Sequence, residues 1–171
     1  MVYSDFFTAP ASSSGKYHPK YSLLTGGLVR HTKACVYFAN EIDTLEQTPI
    51  DNYELDLCIA SLILHDTCKL GLQWEYQSTV SEHPLLPVNL LTEEDLEGDE
   101  SIVWFQINQL IRTHMGEWCT GKNGEVVTPK PKTEAQKFVH LCDYLASRRE
   151  IDLVPLVKEY REVKKSLEEQ K

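Results

Sequence analysis

Six side chains in this chain are of the types that hold divalent metal: His31, His65, Asp66, His83, His114 and Asp143. The sharpest context is Ala60-Ser-Leu-Ile-Leu-His65-Asp66-Thr-Cys-Lys69-Leu-Gly71, an apolar run that ends in a His-Asp doublet. The doublet sets two ligand groups side by side where water is scarce. Neutral imidazole and carboxylate bind divalent ions well, whereas a desolvated carboxylate without a partner is costly. A single helical histidine is far more often a packed or capping group than a ligand. Six ligand-type residues on five successive segments point instead to one shared site, because a bundle of antiparallel helices gathers side chains from distant segments.

The elements that must position them follow from apolar periodicity. Leu23 to about Asn40 reads as a helix, with Leu24, Leu28, His31, Cys35 and Phe38 or Ala39 on one stripe. Gly26 and Gly27 weaken that helix and also let a neighbouring element or a ligand approach the backbone. About Tyr53 to His65 is a second helix, apolar almost all round and so expected to be buried, after a turn at Thr48–Asn52. Lys69–Val80 reads as a loop with some extended structure at Gln73–Thr79. A short helix is expected after His83-Pro84, with Leu85, Leu86, Leu90 and Leu91 facing the core. Glu93–Glu100 reads as a solvated acidic connection. Ser101–His114 is a helix with apolar positions Ile102, Phe105, Leu110 and Ile111. Gly121–Lys132 is a loop or small hairpin. Thr133 caps a helix running to about Arg149, with Phe138, Leu141, Cys142 and Leu145 inward. Pro155 opens a last, strongly charged helix to Lys171, which either frays or serves a neighbouring subunit of a homo-oligomer. Residues 1–22 form an irregular arm whose Phe6, Phe7, Tyr17 and Tyr21 are expected to pack on the domain. The fold class is therefore all-α: a single domain over 1–171, a bundle of about five to seven helices.

Composition bounds the function. The chain has 171 residues, enough for one domain with a real core. A net charge of −9 excludes broad electrostatic adhesion to duplex DNA or RNA. It leaves a nucleotide substrate open, since bound cations can make an acidic pocket locally positive. The five cysteines, Cys35, Cys58, Cys68, Cys119 and Cys142, are odd in number and form no Cys-x-x-Cys. They read as buried thiols of a reduced protein, with ligand or nucleophile as the alternative for Cys68. No apolar run approaches the roughly 18 residues of a membrane span, and no signal peptide is visible. A cytoplasmic enzyme or binding domain, with no membrane partner, is the expectation.

The order His31 … His65-Asp66 … Asp143 resembles the HD superfamily of metal-dependent phosphohydrolases. Gly-Gly-Leu-Val-Arg-His31-Thr resembles that family's first-ligand helix, Leu-Ile-Leu-His65-Asp66-Thr-Cys-Lys69-Leu-Gly its defining doublet, and His140-Leu-Cys-Asp143-Tyr-Leu-Ala-Ser its last-ligand helix. The likeness spans about Ala9 to Arg149. Glu82-His83-Pro84 and Thr113-His114-Met-Gly lie where two-metal members place two further histidines. Phe-Phe-Thr-Ala-Pro-Ala followed by Tyr17-His18-Pro19 is similar to the catalytic domain of HD-type 3′-to-5′ exoribonucleases, which carry an OB-fold ahead of it. With none ahead of it here, a stand-alone relative acting on small nucleotides, or an accessory protein of a mobile element, fits at least as well.

The resemblance implies an HD-type bundle and two divalent ions. His31, His65, Asp66 and Asp143 would hold one; Asp66 would bridge to a second held by His83 and His114. The alternative is a single ion, with His83 and His114 serving substrate or proton transfer. The mixed ligand set suits Mn, Fe, Co, Ni or Zn, with Mg as a further option. Asp66 and Lys69 are the residues assigned to catalysis. Lys69 is assigned to substrate phosphate, the plain alternative being a surface lysine or a partner for Asp66. His18 and Arg148 are further substrate-binding candidates, an exposed helix charge being the plainer reading of Arg148. Arg30 and Arg149 read better as exposed helix charges, Trp118 as either a base-stacking or a packing residue, and His140 as a support behind the ligands. The implied activity is hydrolysis of a nucleotide or short-oligonucleotide phosphodiester by metal-activated water. Its rivals are an HD nucleotidase, a deoxynucleotide triphosphohydrolase, a non-catalytic nucleotide sensor and a structural metal site. A structural zinc site is usually Cys-rich and closed, and these residues are not.

Overall fold

Five α-helices carry the architecture of this computed structural model: α1 Gly27–Asp43, α2 Asn52–Leu64, α3 Glu100–Ile111, α4 Glu134–Ala146 and α5 Val154–Glu169. The structure describes residues 4–12, 15–45, 49–121 and 123–169, without the side chain of Glu93. Ser13 and Ser14 of the expected N-terminal break, Thr48 of the expected turn, and Gln170 and Lys171 of the charged tail lie outside them. The protein is an all-α bundle. Among the described residues the sole extended pairing is one antiparallel bridge, Thr120 to Val126, so the small hairpin expected at 121–132 shrinks to a tight turn. The segment 73–79 forms no strand.

Helix α2 is the hub, packing against α1, α3 and α4. It starts sharply because Asp51 and Glu54 form a capping box, each side chain accepting the other's backbone N–H. Small residues let its neighbours approach. Ser61 Oγ donates to the Leu57 carbonyl at 2.7 Å and lies 3.3 Å from the Ile107 carbonyl of α3. Leu57, Cys58 and Leu62 are buried in the core. The helix is not buried all round, however: Tyr53 and Ile63 are exposed, and the Tyr53 hydroxyl donates to Gln106. A hub with three neighbours still leaves one face to water.

Helix α4 begins as expected at Thr133, which forms a capping box with Gln136. Its inward face carries Phe138, Val139, Cys142 and Ala146, while Leu141 is exposed and Leu145 half-buried. In α3 the inward residues are Ile107, Leu110 and Ile111; Ile102 and Phe105 are exposed. In α3, apolar at most positions, several stripes fit a three- and four-residue step equally well, and the partner helix decides which is used; in the more amphipathic α4, Leu141 stands outside the buried stripe. The expected short helix after His83 is two 3-10 turns, His83–Leu85 and Pro87–Leu90. Pro87 has no N–H to continue the first turn, and the four leucines are only half-buried. Helix α5 is anchored by fully buried Leu156 and is otherwise mostly solvent-facing.

The N-terminal arm is bound to the bundle rather than free. Phe6, Ala11 and Tyr21 are buried, although Phe7 and Tyr17 are exposed. Tyr21 reaches the end of α4, its hydroxyl donating to the Ala146 carbonyl at 3.3 Å. Arg30 is buried, not the exposed helix charge expected. Its guanidinium donates to the carbonyls of Tyr21 at 2.6 Å, Leu23 at 2.9 Å and Thr25 at 2.8 Å. The first helix accordingly starts at Gly27, with Leu23 to Gly26 as the looped entry that Arg30 fastens. At Gly27 a Cβ would be driven into the Ser22 backbone carbonyl. The close approach expected of the glycine pair is thus made by the arm. Gly27→Ala is expected to lower stability by about 1–3 kcal/mol, read as a fall in the denaturant midpoint. An unchanged midpoint would mean that the arm is not seated there.

Candidate metal centre

Three of the histidines are aimed by the same device. His65 follows the last turn of α2, His114 lies three residues beyond α3, and His83 opens a 3-10 turn. Each imidazole folds back so that Nδ1–H donates to the carbonyl three residues earlier: His65 to Leu62 at 2.7 Å, His83 to Val80 at 2.8 Å, His114 to Ile111 at 2.8 Å. The last carbonyls of a helix have no partner within it, so those of Leu62 and Ile111 are free to accept, whereas Val80 lies in the loop ahead of the 3-10 turn. Such a bond fixes the tautomer with its lone pair on Nε2, the arrangement found behind histidines that bind metal. His31 and Asp143 come from mid-helix positions on α1 and α4, which pack together.

The free ends converge in two adjoining nests, with His65 grouping with Asp66 and His114 as well as with His31 and Asp143. His31 Nε2 lies 3.3 Å from His65 Nε2 and 3.0 Å from Asp143 Oδ1, and His65 Nε2 lies 3.7 Å from that oxygen. Asp66 Oδ2 completes this nest at 3.9 Å from His31 and 3.5 Å from His65. In the second nest His83 Nε2 is 3.2 Å from His114 Nε2 and 3.2 Å from the other oxygen of Asp66, Oδ1. Ligand atoms about 2.1 Å from a tetrahedral ion lie about 3.4 Å apart. The observed spacings, 3.0–3.9 Å, lie on either side of that value, and the two oxygens of Asp66 face different histidines.

Protonation fits the same use. Burial pushes His65 and His114 down, His114 to about 3. Burial pushes Asp66 and Asp143 up, but their partners outweigh it. The Lys69 ammonium holds Asp66 well below the usual carboxylate range, and a hydrogen bond with His31 does the same for Asp143. Neutral imidazoles at His65 and His114 beside ionised Asp66 and Asp143 are the states a cation requires. The buried His, Cys and Asp groups can therefore hold a metal ion.

These nests floor a cavity of about 560 Å³, lined among others by His18, Lys69, Met115, Trp118, Ser147 and Arg148. Lys69 Nζ is 2.5 Å from Asp66 Oδ2. It makes the contact of the plain alternative while still lining the cavity. His18 lies edge-on to His31 at 5.6 Å between ring centres, and burial pushes it down to about 4. Arg148 lies over the Tyr144 ring at 4.2 Å. Arg149 is exposed. Cys68 is buried behind the doublet and takes no part in the groups that could hold an ion. All five cysteines are free and buried.

Cys35 was not among the expected ligands. Its Sγ lies 3.7 Å from His31 Nε2, and it groups with His31, His65 and Asp143. The signal was its place one helical turn after His31, on the same stripe.

His140 supports the centre from behind: its Nδ1–H donates to the His114 carbonyl at 2.7 Å. The ring occupies the space that a Cβ at Gly116 would fill, and Gly116 has φ +55°. Gly116→Ala is expected to displace His140 and weaken metal binding about 10–100-fold, measured by competition with a chromophoric chelator. Unchanged affinity would show that the His140 contact does not position His114. All six histidines of the chain, His18, His31, His65, His83, His114 and His140, are thus spent on this one region.

No family model matches the chain, and no curated protein or solved structure matches it. What the fold and site define is an all-α bundle with a buried histidine–carboxylate centre able to hold metal. No helix among the described residues is long and apolar enough to cross a membrane.

Proposed function

We propose that the protein is a metal-dependent phosphohydrolase of the HD type that cleaves a nucleotide phosphodiester. The observation that carries the reading is Asp66, one oxygen of which lies near His31 and His65 and the other near His83, beside a cavity that His31, His83, His114 and Asp143 also line. The order and local context of these residues support it through their resemblance to the HD superfamily. Two divalent ions, when bound, supply water made acidic enough to attack at neutral pH and positive charge for the phosphoryl oxygens.

The chain's own groups do the rest. Asp66 keeps both nests in register by reaching into each. Lys69, held on Asp66 Oδ2, brings its ammonium to the cavity wall, where it neutralises the phosphate of the bound substrate. His18 lines the wall above His31 and is neutral at physiological pH, so it offers a hydrogen bond without repelling cations. His31, Asp66, His83 and His114 are themselves buried, which strengthens the interactions of charges beside them.

The test is turnover by protein loaded with Mn, comparing a bis-aryl phosphate, an aryl monophosphate and a panel of nucleotides. Faster hydrolysis of the diester is expected. Preference for monoesters or triphosphates would reassign the substrate bond. Binding of nucleotides by fully metallated protein, without hydrolysis, would make it a sensor instead.

A further inference from the structure

Beside the proposed metal centre the cavity wall carries an aromatic shelf that phosphate chemistry does not use. Trp118 and Tyr144 stack at 5.7 Å between ring centres with their planes 16° apart. Arg148 covers both, 4.2 Å from the Tyr144 centre and 5.5 Å from that of Trp118. The guanidinium is held by its own bonds, Nε–H donating to the Tyr144 carbonyl at 3.2 Å and a terminal nitrogen to Ser147 Oγ at 3.2 Å. Trp118 is nevertheless 51% exposed and lines the cavity. An indole fixed on one side and open on the other is not a core residue.

The shelf is also in register with the nests. Trp118 follows His114 by four residues in a segment that His140 fastens to α4. Tyr144 and Arg148 follow Asp143 on the chain, by one residue and by five. Two sides of the shelf are therefore tied along the chain to residues proposed to hold metal. A flat, rigid, half-open aromatic surface is what a nucleobase stacks on, and base–aromatic stacking tolerates any base because each has a π-face. Arginine adds a cation over the rings.

We infer that Trp118 is the base-stacking residue of a nucleotide subsite, with Tyr144 and Arg148 as positioning residues that hold the indole. The inference rests on the nucleotide reading above and says which side chain recognises the base. It predicts discrimination between a nucleotide and the same sugar phosphate without its base. The experiment is calorimetric titration of the protein as purified with adenosine 5′-monophosphate and with ribose 5-phosphate. Adenosine monophosphate is expected to bind about tenfold or more tightly than ribose 5-phosphate. Trp118→Ala should erase that difference by weakening the nucleotide alone, and Trp118→Phe should restore most of it. Equal affinity for the two probes in the wild type, or binding of neither, overturns the inference without need of any variant. So does parallel loss of both probes in a folded Trp118→Ala protein. Failure to hydrolyse any ester would defeat the phosphohydrolase reading and leave this binding preference in place, so the two failures are distinguishable.

Discussion

Asp66→Ala is expected to lower turnover by about 10³-fold or more and to leave at most one ion per chain. The reason is geometric. Asp66 is buried, and its oxygens lie on opposite sides of the carboxylate: Oδ2 toward His31 and His65, Oδ1 toward His83. Removing it takes a ligand from both nests at once. It also leaves the Lys69 ammonium without its partner, which adds a stability cost unrelated to catalysis. Asp66→Asn separates the two effects. The amide keeps the shape and an oxygen but carries no charge, so folding should survive while metal affinity and turnover fall. The checks are metal content by atomic emission and hydrolysis of a bis-aryl phosphate, with a melting curve for each variant. Wild-type turnover in Asp66→Ala would contradict the phosphohydrolase account as a whole.

The second large effect divides the nests. His83→Ala and His114→Ala each remove an imidazole from the nest on the Oδ1 side and leave His31, His65, Asp143 and Oδ2 in place. Each is expected to reduce metal from two ions per chain to one, with turnover down about 10²-fold or more. His31→Ala and Asp143→Ala damage the other nest and should weaken the complementary ion. Unchanged stoichiometry in both His83→Ala and His114→Ala would sink the two-ion arrangement. Those histidines would then act around a single ion, on substrate or proton.

The site was more legible in the sequence than the packing around it, for physical reasons. His65-Asp66 at the end of an apolar run, and His31 and Asp143 on or beside inward stripes, are visible because burying them demands a partner. Their convergence follows once α1, α2 and α4 pack together. His83 and His114 stand out as candidates, but the carbonyls that aim them belong to the local backbone, a loop for His83 and a helix end for His114, which residue types do not display. Ile102 and Phe105 are apolar positions of α3 that face water, because a helix rich in apolar residues offers several equivalent stripes, and Leu141 of α4 faces water where the sequence pattern sets it inward. Arg30 was misjudged because its partners are the carbonyls of Tyr21, Leu23 and Thr25. Backbone acceptors leave no mark in side-chain chemistry. The Trp118–Tyr144–Arg148 shelf joins residues from two elements. Only the tertiary structure could assemble it.

The central claim is that the six ligand-type residues hold metal for phosphoester hydrolysis. The most direct measurement is elemental analysis of wild-type protein purified without chelators, repeated after chelation and after return of Mn, with phosphodiester hydrolysis followed at each stage. The account predicts about two transition-metal ions per chain, loss of activity with their removal, and recovery with their return. Protein that binds no divalent ion at any stage, or hydrolyses the ester equally well without one, would contradict it.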